Sequence, residues 1–218
     1  MPVPGKKDDR LNTAKLPRPA KKNKGQVTHI YKQVIDISMA DITRHRRLYG
    51  YLITLFRNGC FKKSISPLSH QLLENISTLT FVPGLLQAWT CCRFCELKQI
   101  GIQNIMTNSP FVIKSSKSDH IRSVNRLPLQ QLPQLRKLNP STKILVVSYD
   151  SYKNSIKQAR RRLKMIKING ILDCTHVWRH FEASWQFSQN VPLANISHCL
   201  GHVSDKTTLG YIHPELEG

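Results

Sequence analysis

Hydrophobic and polar positions follow helical spacing over most of the chain. We expect a helix wherever apolar residues recur every three or four positions behind a capping residue. The first expected helix begins at Met39, with Ser38 or Asp41 as its cap, and ends at Asn58. Asn190 is expected in the left-handed conformation that ends a helix, because Asn is the usual choice there after Gly. The pattern predicts further helices over 69–79, 82–100, 149–168, 176–189 and 193–199.

A stretch in the middle of the chain has the pattern of a strand pair. Two short apolar runs, over 111–113 and 124–129, lie on either side of a polar turn at 115–120. Residues 130–140 are rich in Leu and Pro and predict a connection or a short helix. The sequence therefore predicts a mainly α fold with a small antiparallel β-sheet.

The charge of the chain indicates a polyanionic partner. Lys and Arg number 33 against 13 Asp and Glu, so the 218-residue chain has a formal net charge of +20. Such a balance favours nucleic acid as a partner, although charge alone does not separate DNA, RNA and an anionic membrane. No run reaches the roughly 18 apolar residues that span a bilayer, and the N-terminus lacks the apolar core of a signal peptide. We therefore expect a cytoplasmic protein, with nucleic acid as the first candidate for its polyanionic partner.

Basic segments are candidate contacts to the phosphate backbone, and a solvated surface is the alternative interpretation of each. Residues 1–26 predict a disordered basic arm, followed by one domain over 27–218. Positive charge at the start of the first expected helix opposes the helix dipole unless an anion lies nearby. The side chains expected to face DNA are Arg44, Arg46, Arg47, Arg160, Arg161 and Lys164.

The most informative polar side chains lie near the C-terminus. His176 and Arg179 are three positions apart, so one face of a helix carries both. His202 follows a glycine, and Tyr211 comes nine residues later. A guanidinium, two imidazoles and a phenol make a poor core, but they suit a reaction at a phosphate in which the phenol is the nucleophile. Taken singly, each also fits a surface helix, a helix end or a packed aromatic residue.

The spacing of these residues resembles the second conserved box of the tyrosine recombinase (phage integrase) family. The box begins at His176 as His-Val-Trp-Arg-His, continues as Leu-Gly-His at 200–202, and ends at His213 as Thr-Thr-Leu-Gly-Tyr-Ile-His. The family's first box resembles Thr-Cys-Cys-Arg-Phe-Cys-Glu-Leu over 90–97, with Cys at two positions where the family has Gly and Ser. The resemblance implies a mainly α catalytic domain that breaks and rejoins double-stranded DNA.

The resemblance also implies a role for each matching side chain. Arg93 and Arg179 would bind the non-bridging oxygens of a phosphodiester, as a metal ion otherwise would. Tyr211 would attack phosphorus and form a 3′-phosphotyrosyl bond. A phenol ordinarily titrates near pH ~10, so it needs cationic neighbours, and His176 would accept its proton. Arg93 alone also fits an ion pair with Glu96 at the edge of the core.

The remaining matches are His202 and a lysine. His202 would hydrogen-bond a phosphate oxygen. Lys117, on the turn of the expected hairpin, would protonate the departing 5′ oxygen, and Lys114 is the alternative. The resemblance implies neither ATP nor a metal ion nor another cofactor.

The chain departs from the family in three respects. Its first helices need most of the residues before Arg93, so we expect no separate core-binding domain, as in the short fimbrial-switch invertases. Only residues 212–218 follow Tyr211 in this sequence, so we expect coupling between the subunits of a dimer or tetramer to use other contacts or to be weak. Glu182 also stands where the family is usually apolar. The alternatives are a DNA-binding relative without activity, a type IB topoisomerase-like relaxing enzyme and an RNA-associated protein.

Six cysteines allow a metal interpretation as well. Cys92 and Cys95 have the Cys-x-x-Cys spacing that supplies two zinc ligands, and Cys91 adjoins them. The sequence contains no second such pair, so we expect free thiols packed as small apolar groups and no metal site.

Overall fold

The structure is a computed structural model that describes residues 37–106, 110–116, 121–124, 137–165 and 175–216. The basic arm expected over 1–26 lies outside the described residues, and so does Lys117. Their roles therefore stay predictions.

Helix α1 covers Met39–Arg57, as the sequence predicts. The hydroxyl of Ser38 accepts from the backbone N–H of Asp41, and the carboxylate of Asp41 accepts from the backbone N–H of Ser38, each at 3.1 Å. This reciprocal capping box starts the helix. Leu48 and Leu52, four residues apart, lie on the buried face.

The next two helices differ from their predicted bounds. Helix α2 covers Pro67–Leu73 behind the cap Ser66, and helix α3 covers Thr78–Thr90. The helices expected over 69–79 and 82–100 are therefore wrong at their ends. Helix α3 stops because Cys91 adopts a left-handed conformation, with φ at 53°. After it, a 3₁₀ helix covers Phe94–Gln99.

A β-hairpin follows the short helix α4, Ile102–Met106. Strand β1, Phe111–Lys114, pairs antiparallel with strand β2, Ile121–Val124. The second strand was expected over 124–129, and its predicted start is wrong because the paired segment begins at Ile121. Residues 125–129 lie outside the described part of the chain. The amide of Gln99 donates to the carbonyl of Lys114 and accepts from its N–H, which fastens the 3₁₀ helix to β1.

Helix α5 covers Tyr149–Arg162 and ends before Lys164, whose φ is 51°. The predicted end at 168 is therefore wrong. The prediction that Arg160 faces outward is also wrong, since only 4% of this residue is exposed. Arg160 stands four residues after the buried Ile156, and this spacing puts both side chains on the same face of the helix.

The C-terminal region consists of helices α6, Val177–Ser188, and α7, Leu193–Leu200, close to their predicted bounds. Between them Asn190 has a φ of 59°, which confirms the left-handed conformation predicted for it. The short helix α8, Asp205–Leu209, and a 3₁₀ turn over Pro214–Leu216 were not predicted.

Helix α3 lies at the centre of the main core, where it packs against α1 and α6. Gly84 allows the close approach to α6, because a Cβ there would lie 3.1 Å from the ring of Trp178. The Trp178 indole N–H donates to the hydroxyl of Tyr152 on α5 at 2.8 Å, and both side chains are fully buried. Phe94 stacks on Tyr152 with ring centroids 5.1 Å apart. These contacts hold α5, α6 and the residue after Arg93 in one packed unit. No helix in the described residues combines the length and apolar character that a membrane crossing requires.

Candidate active site

Arg179 is the most deeply buried of the predicted phosphate ligands. It lies one turn into α6, between the core residues Trp178 and Phe181, and has no exposed surface. Its guanidinium donates to the carbonyls of Cys91 and Leu200. Burial, followed by the nearby charge of Arg93, lowers the pKa of Arg179. The two guanidiniums are therefore close enough to repel each other, as two ligands of one anion are.

Arg93 is positioned by the break after α3. It is the N-cap of the 3₁₀ helix, and its backbone N–H donates to the carboxylate of Glu96 at 2.9 Å. Its side chain donates to the same carboxylate at 2.8 Å and to the hydroxyl of Ser115, after β1, at 3.2 Å. The ion pair with Glu96 and the predicted place in the site are thus compatible.

Glu96 is a fully buried carboxylate shared by two guanidiniums. The guanidinium of Arg122 on β2 donates to Oε2 of this carboxylate at 2.9 Å, whereas the guanidinium of Arg93 donates to Oε1. Burial alone would raise the pKa of Glu96, but the charge of Arg122 and backbone N–H donors from Ser116 and Arg93 lower it to about 2. The carboxylate therefore stays ionised and fixes both arginines.

The site has a surplus of buried N–H donors. Within the described ranges, Nε of Arg93 and Arg179, and Nε and Nη1 of Arg122, have no hydrogen-bond acceptor. A buried donor without an acceptor costs about 1–3 kcal/mol. The oxygens of an anion such as a phosphodiester would satisfy donors of this kind.

Tyr211 follows α8 and lies among the predicted side chains, with its backbone N–H bonded to the carbonyl of Thr208 at 2.8 Å. Its hydroxyl is 3.4 Å from Nδ1 of His176, the N-cap of α6. The centre of its ring is 4.9 Å from that of His202 and 5.2 Å from Cζ of Arg179. The half-buried phenol thus has imidazole and guanidinium neighbours.

A second pair of histidines lies against the same ring. His180 stacks on Tyr211 with centroids 4.5 Å apart, and its Nδ1 is 3.0 Å from Nε2 of His213. Burial, then the charges of His213 and His176, lower the pKa of His180 to about 3. His180 is therefore neutral near pH 7, and it stacks on the Tyr211 ring as an uncharged imidazole.

The structure brings together Arg93, His176, Arg179, His202 and Tyr211. Lys117 lies outside the described residues. Lys114, its alternative, is exposed, whereas Ile113 and Ser115 on either side of it are buried. Alternation along the strand therefore directs Lys114 away from the hydroxyl that binds Arg93.

The basic residues predicted to face DNA divide into two groups. Arg46, Arg47, Arg161 and Lys164 are exposed, in agreement with a role at the surface. Arg44 is half-buried and hydrogen-bonds Ser141 at 3.3 Å. Arg160 is buried, as described above, so it is not part of an exposed phosphate-binding face.

Sequence reasoning missed Arg122, which lies between the turn expected over 115–120 and the strand expected over 124–129. The signal was a charged residue close to two β-branched residues, Ile121 and Val124. It also missed Ser197 and Asp205 behind His202, and it gave no role to Thr208 of the Thr-Thr pair.

The thiols give no support to a metal site. Cys91 and Cys92 are buried, and burial raises the pKa of both, to about 12 for Cys92. Among the described residues, no group of three or more His, Cys, Asp or Glu side chains is arranged to hold a metal ion. The described cysteines, Cys60, Cys91, Cys92, Cys95 and Cys199, are free thiols.

Solved structures of site-specific recombinases are similar to this chain. The crystal structure of XerA recombinase matches with a TM-score of 0.50 and 23% sequence identity, over 66% of this chain and 57% of XerA. XerH, solved with its difH substrate as a pre-cleavage complex, matches with a TM-score of 0.50 and 17% identity, over 68% of this chain and 49% of XerH. The chain thus spans about half of the length of either protein. No protein-family model and no curated protein matches it. The predicted fold is confirmed: the chain has the fold of a tyrosine recombinase catalytic domain.

Proposed function

We propose that this protein is a tyrosine recombinase that cleaves and rejoins double-stranded DNA at specific sites. The observation that carries the proposal is the surplus of buried donors on Arg93, Arg122 and Arg179, with Cζ of Arg179 lying 5.2 Å from the centre of the Tyr211 ring. A site built from guanidiniums and a phenol suits a phosphodiester and a covalent intermediate.

In the proposed reaction, the Tyr211 oxygen attacks phosphorus while the bond from phosphorus to the 5′ oxygen breaks. The phenol proton passes to His176, whose Nδ1 lies 3.4 Å away. Arg93 and Arg179 neutralise the charge that develops on the non-bridging oxygens. Lys117 supplies a proton to the departing 5′ oxygen. Rejoining is the reverse, with the 5′ hydroxyl of a partner strand as the nucleophile.

Burial explains why the arginines suit this task. Each is held by carboxylate or carbonyl acceptors before DNA arrives, so little reorganisation is needed when the phosphate enters. Pre-organised donors in a site shielded from water stabilise transition-state charge far better than mobile surface side chains do. Strand exchange requires paired sites, so we also propose that the protein forms dimers or tetramers on DNA.

The test is capture of a covalent protein–DNA adduct on nicked duplexes that lose a short strand after cleavage. The duplexes are tiled from the DNA that flanks the coding sequence, and the reactions contain EDTA. We expect the adduct with the wild type and with the control Tyr51→Phe, and its loss in Tyr211→Phe. Thermal melts show that the variants are folded.

Other outcomes overturn the proposal in identifiable ways. Salt-sensitive DNA binding without an adduct on any duplex indicates a DNA-binding protein built on the same fold. Relaxation of supercoiled plasmid by a monomer, without paired sites, indicates a type IB topoisomerase-like enzyme. Preference for RNA over duplex DNA in competition indicates an RNA-associated protein.

A further inference from the structure

A chain of hydrogen bonds runs from the active-site arginine through His202 to the surface. Nη2 of Arg179 is 2.8 Å from Nε2 of His202, and Nδ1 of His202 is 3.0 Å from the hydroxyl of Thr208. The Thr208 hydroxyl is 2.7 Å from that of Ser197, which is 2.5 Å from the carboxylate of Asp205. Thr208 and Ser197 are buried, and Asp205 is exposed.

The direction of these bonds is fixed from the carboxylate end. An ionised carboxylate only accepts, so the single hydroxyl proton of Ser197 is donated to Asp205. The Ser197 oxygen must then accept the proton of Thr208. The Thr208 oxygen, having given its proton away, must accept from Nδ1 of His202. This sequence of donors places a proton on Nδ1.

The opposite end of the chain leads to the same result independently. A guanidinium has donors and no acceptor, so Nε2 of His202 accepts from Arg179 and carries no proton. Both ends therefore specify the neutral imidazole with its proton on Nδ1. Arg179 only donates and Asp205 only accepts, and each of the three side chains between them donates once and accepts once.

We propose that Asp205, acting through Ser197 and Thr208, is a positioning residue that holds His202 in this tautomer. The arrangement turns the Nε2 lone pair toward Arg179, on the side of the ring that faces the phosphate-binding site. The tautomer itself does not depend on the proposed function, whereas its use in catalysis does.

The consequence for the proposed reaction concerns the second proton of His202. When phosphate oxygens take up the N–H groups of Arg179, Nε2 is left to bind a proton from solvent and to donate it to a non-bridging oxygen. Nδ1 still donates to Thr208, and the carboxylate of Asp205 stabilises the new positive charge through the two polarised hydroxyls. In the described part of the chain, the charged or titratable groups near this imidazole include Arg179 from α6, Tyr211, and Asp205 through the two hydroxyls, and Arg122 lies against the neighbouring Gly201.

The direct test is the tautomer of His202, read from the ¹⁵N chemical shifts of its ring in the free protein. We expect a protonated Nδ1 and an unprotonated Nε2 in the wild type. Ser197→Ala releases the Thr208 proton, which can then be donated to Nδ1 in competition with the bond from Arg179 to Nε2, so we expect a mixture of tautomers. Asp205→Ala removes the acceptor that orders the chain and has the same expected effect.

Asp150→Ala is the matched control, because Asp150, like Asp205, is an acidic residue in the first turn of a helix. It is expected to leave the His202 signals unchanged. A protonated Nε2 in the wild type, or wild-type signals in both Ser197→Ala and Asp205→Ala, overturns the proposal.

A second measurement tests the role in catalysis. In single-turnover cleavage of a nicked duplex, Ser197→Ala and Asp205→Ala are expected to be slower by about tenfold, the scale at which partners behind a functional imidazole act, with unchanged DNA affinity. Thr208→Val, which lacks the hydroxyl, is expected to cleave more slowly than the wild type. Thr208→Ser, which retains the hydroxyl, is expected to cleave at the wild-type rate. If no protein forms an adduct, the proposed function fails while the tautomer result stands. If cleavage occurs at equal rates in all variants, the positioning role fails.

Discussion

Arg122 lies directly against Gly201: a Cβ built on that glycine would be 2.7 Å from Nη1 of the arginine. Gly201 ends α7 with a φ of 65°, a conformation that costs other residues about 1–2 kcal/mol. The fully buried Arg122 is held by Glu96 and cannot move aside without losing its ion pair. The contact therefore joins the β-hairpin to the loop that carries His202.

This contact predicts that Gly201→Ala is strongly destabilising. Strain and collision together should lower the free energy of unfolding by at least about 2 kcal/mol, measured by urea denaturation. Gly50→Ala is the control, because Gly50 is in the middle of α1 with no atom near its missing Cβ. That variant should gain about 0.5–1 kcal/mol. Equal stability of the two variants would contradict the contact.

Glu96→Gln tests the shared carboxylate. Removing the negative charge leaves Arg93 and Arg122 buried with a weaker acceptor, so we expect a loss of about 3–5 kcal/mol in the free energy of unfolding. The exposed Glu74, which lies 3.6 Å from His70, is the matched position, and Glu74→Gln should change stability by less than about 0.5 kcal/mol. A small effect at Glu96 would mean that the two arginines do not depend on it.

His180 makes the fold sensitive to acid. Its folded-state pKa of about 3 is below the ordinary histidine value of 6.5, so below pH ~6.5 the unfolded chain binds a proton that the folded protein does not. Its contribution to stability is complete above that pH and is lost as pH falls toward 3, by up to about 1.4 kcal/mol per pH unit. Burial lowers the pKa of His45 and His70 in the same direction.

The measurement is the free energy of unfolding as a function of pH for two single variants. His180→Gln should reduce the slope below pH ~6.5, whereas His198→Gln, at an exposed position of α7, should retain it. Identical slopes for the wild type and His180→Gln would show that His180 is not the source of the acid sensitivity.

Arg46 and Arg47 are the exposed arginines of α1 that we expect to contact phosphates. The double change to Ala should weaken DNA binding for all sequences and make the slope of log K against log salt shallower by about 2. Arg57→Ala, at the other end of the same helix, should leave the slope unchanged. Fluorescence anisotropy over a salt series provides both numbers, and a loss of affinity without a change of slope would argue against phosphate contacts.

The sequence predicted the helices and site residues that follow strong local rules. Ser38, one of the two predicted caps, caps α1, Asn190 has the predicted left-handed backbone, and the spacing from His176 to Tyr211 brings both to one site. In the first two cases the signal is a residue type at the end of a helix. In the third it is a motif whose spacing is typical of the fold.

The errors at β2 and at Arg160 arose because a charged residue is buried at a position where a hydrophobic residue is usual. Strand β2 was misplaced because Arg122 faces the core and Ile121 faces solvent, the reverse of the usual alternation. Helix α3 was extended past Cys91 because no Gly or Pro marks its end, although the backbone turns left-handed there. Arg160 was assigned to the surface because its charge was given more weight than its spacing of four residues from Ile156. The position of Arg122 depends on Glu96, which lies 26 residues before it in the sequence.

The central claim is that Tyr211 is the nucleophile, and peptide mapping of the covalent adduct tests it most directly. Adducts trapped on nicked duplexes are digested with a protease and a nuclease, and the modified peptide is sequenced by mass spectrometry. We predict a nucleotide attached through its 3′ phosphate to Tyr211, with a free 5′ hydroxyl on the released strand. Attachment at another residue, a 5′ linkage, or an adduct that persists in Tyr211→Phe would contradict the account.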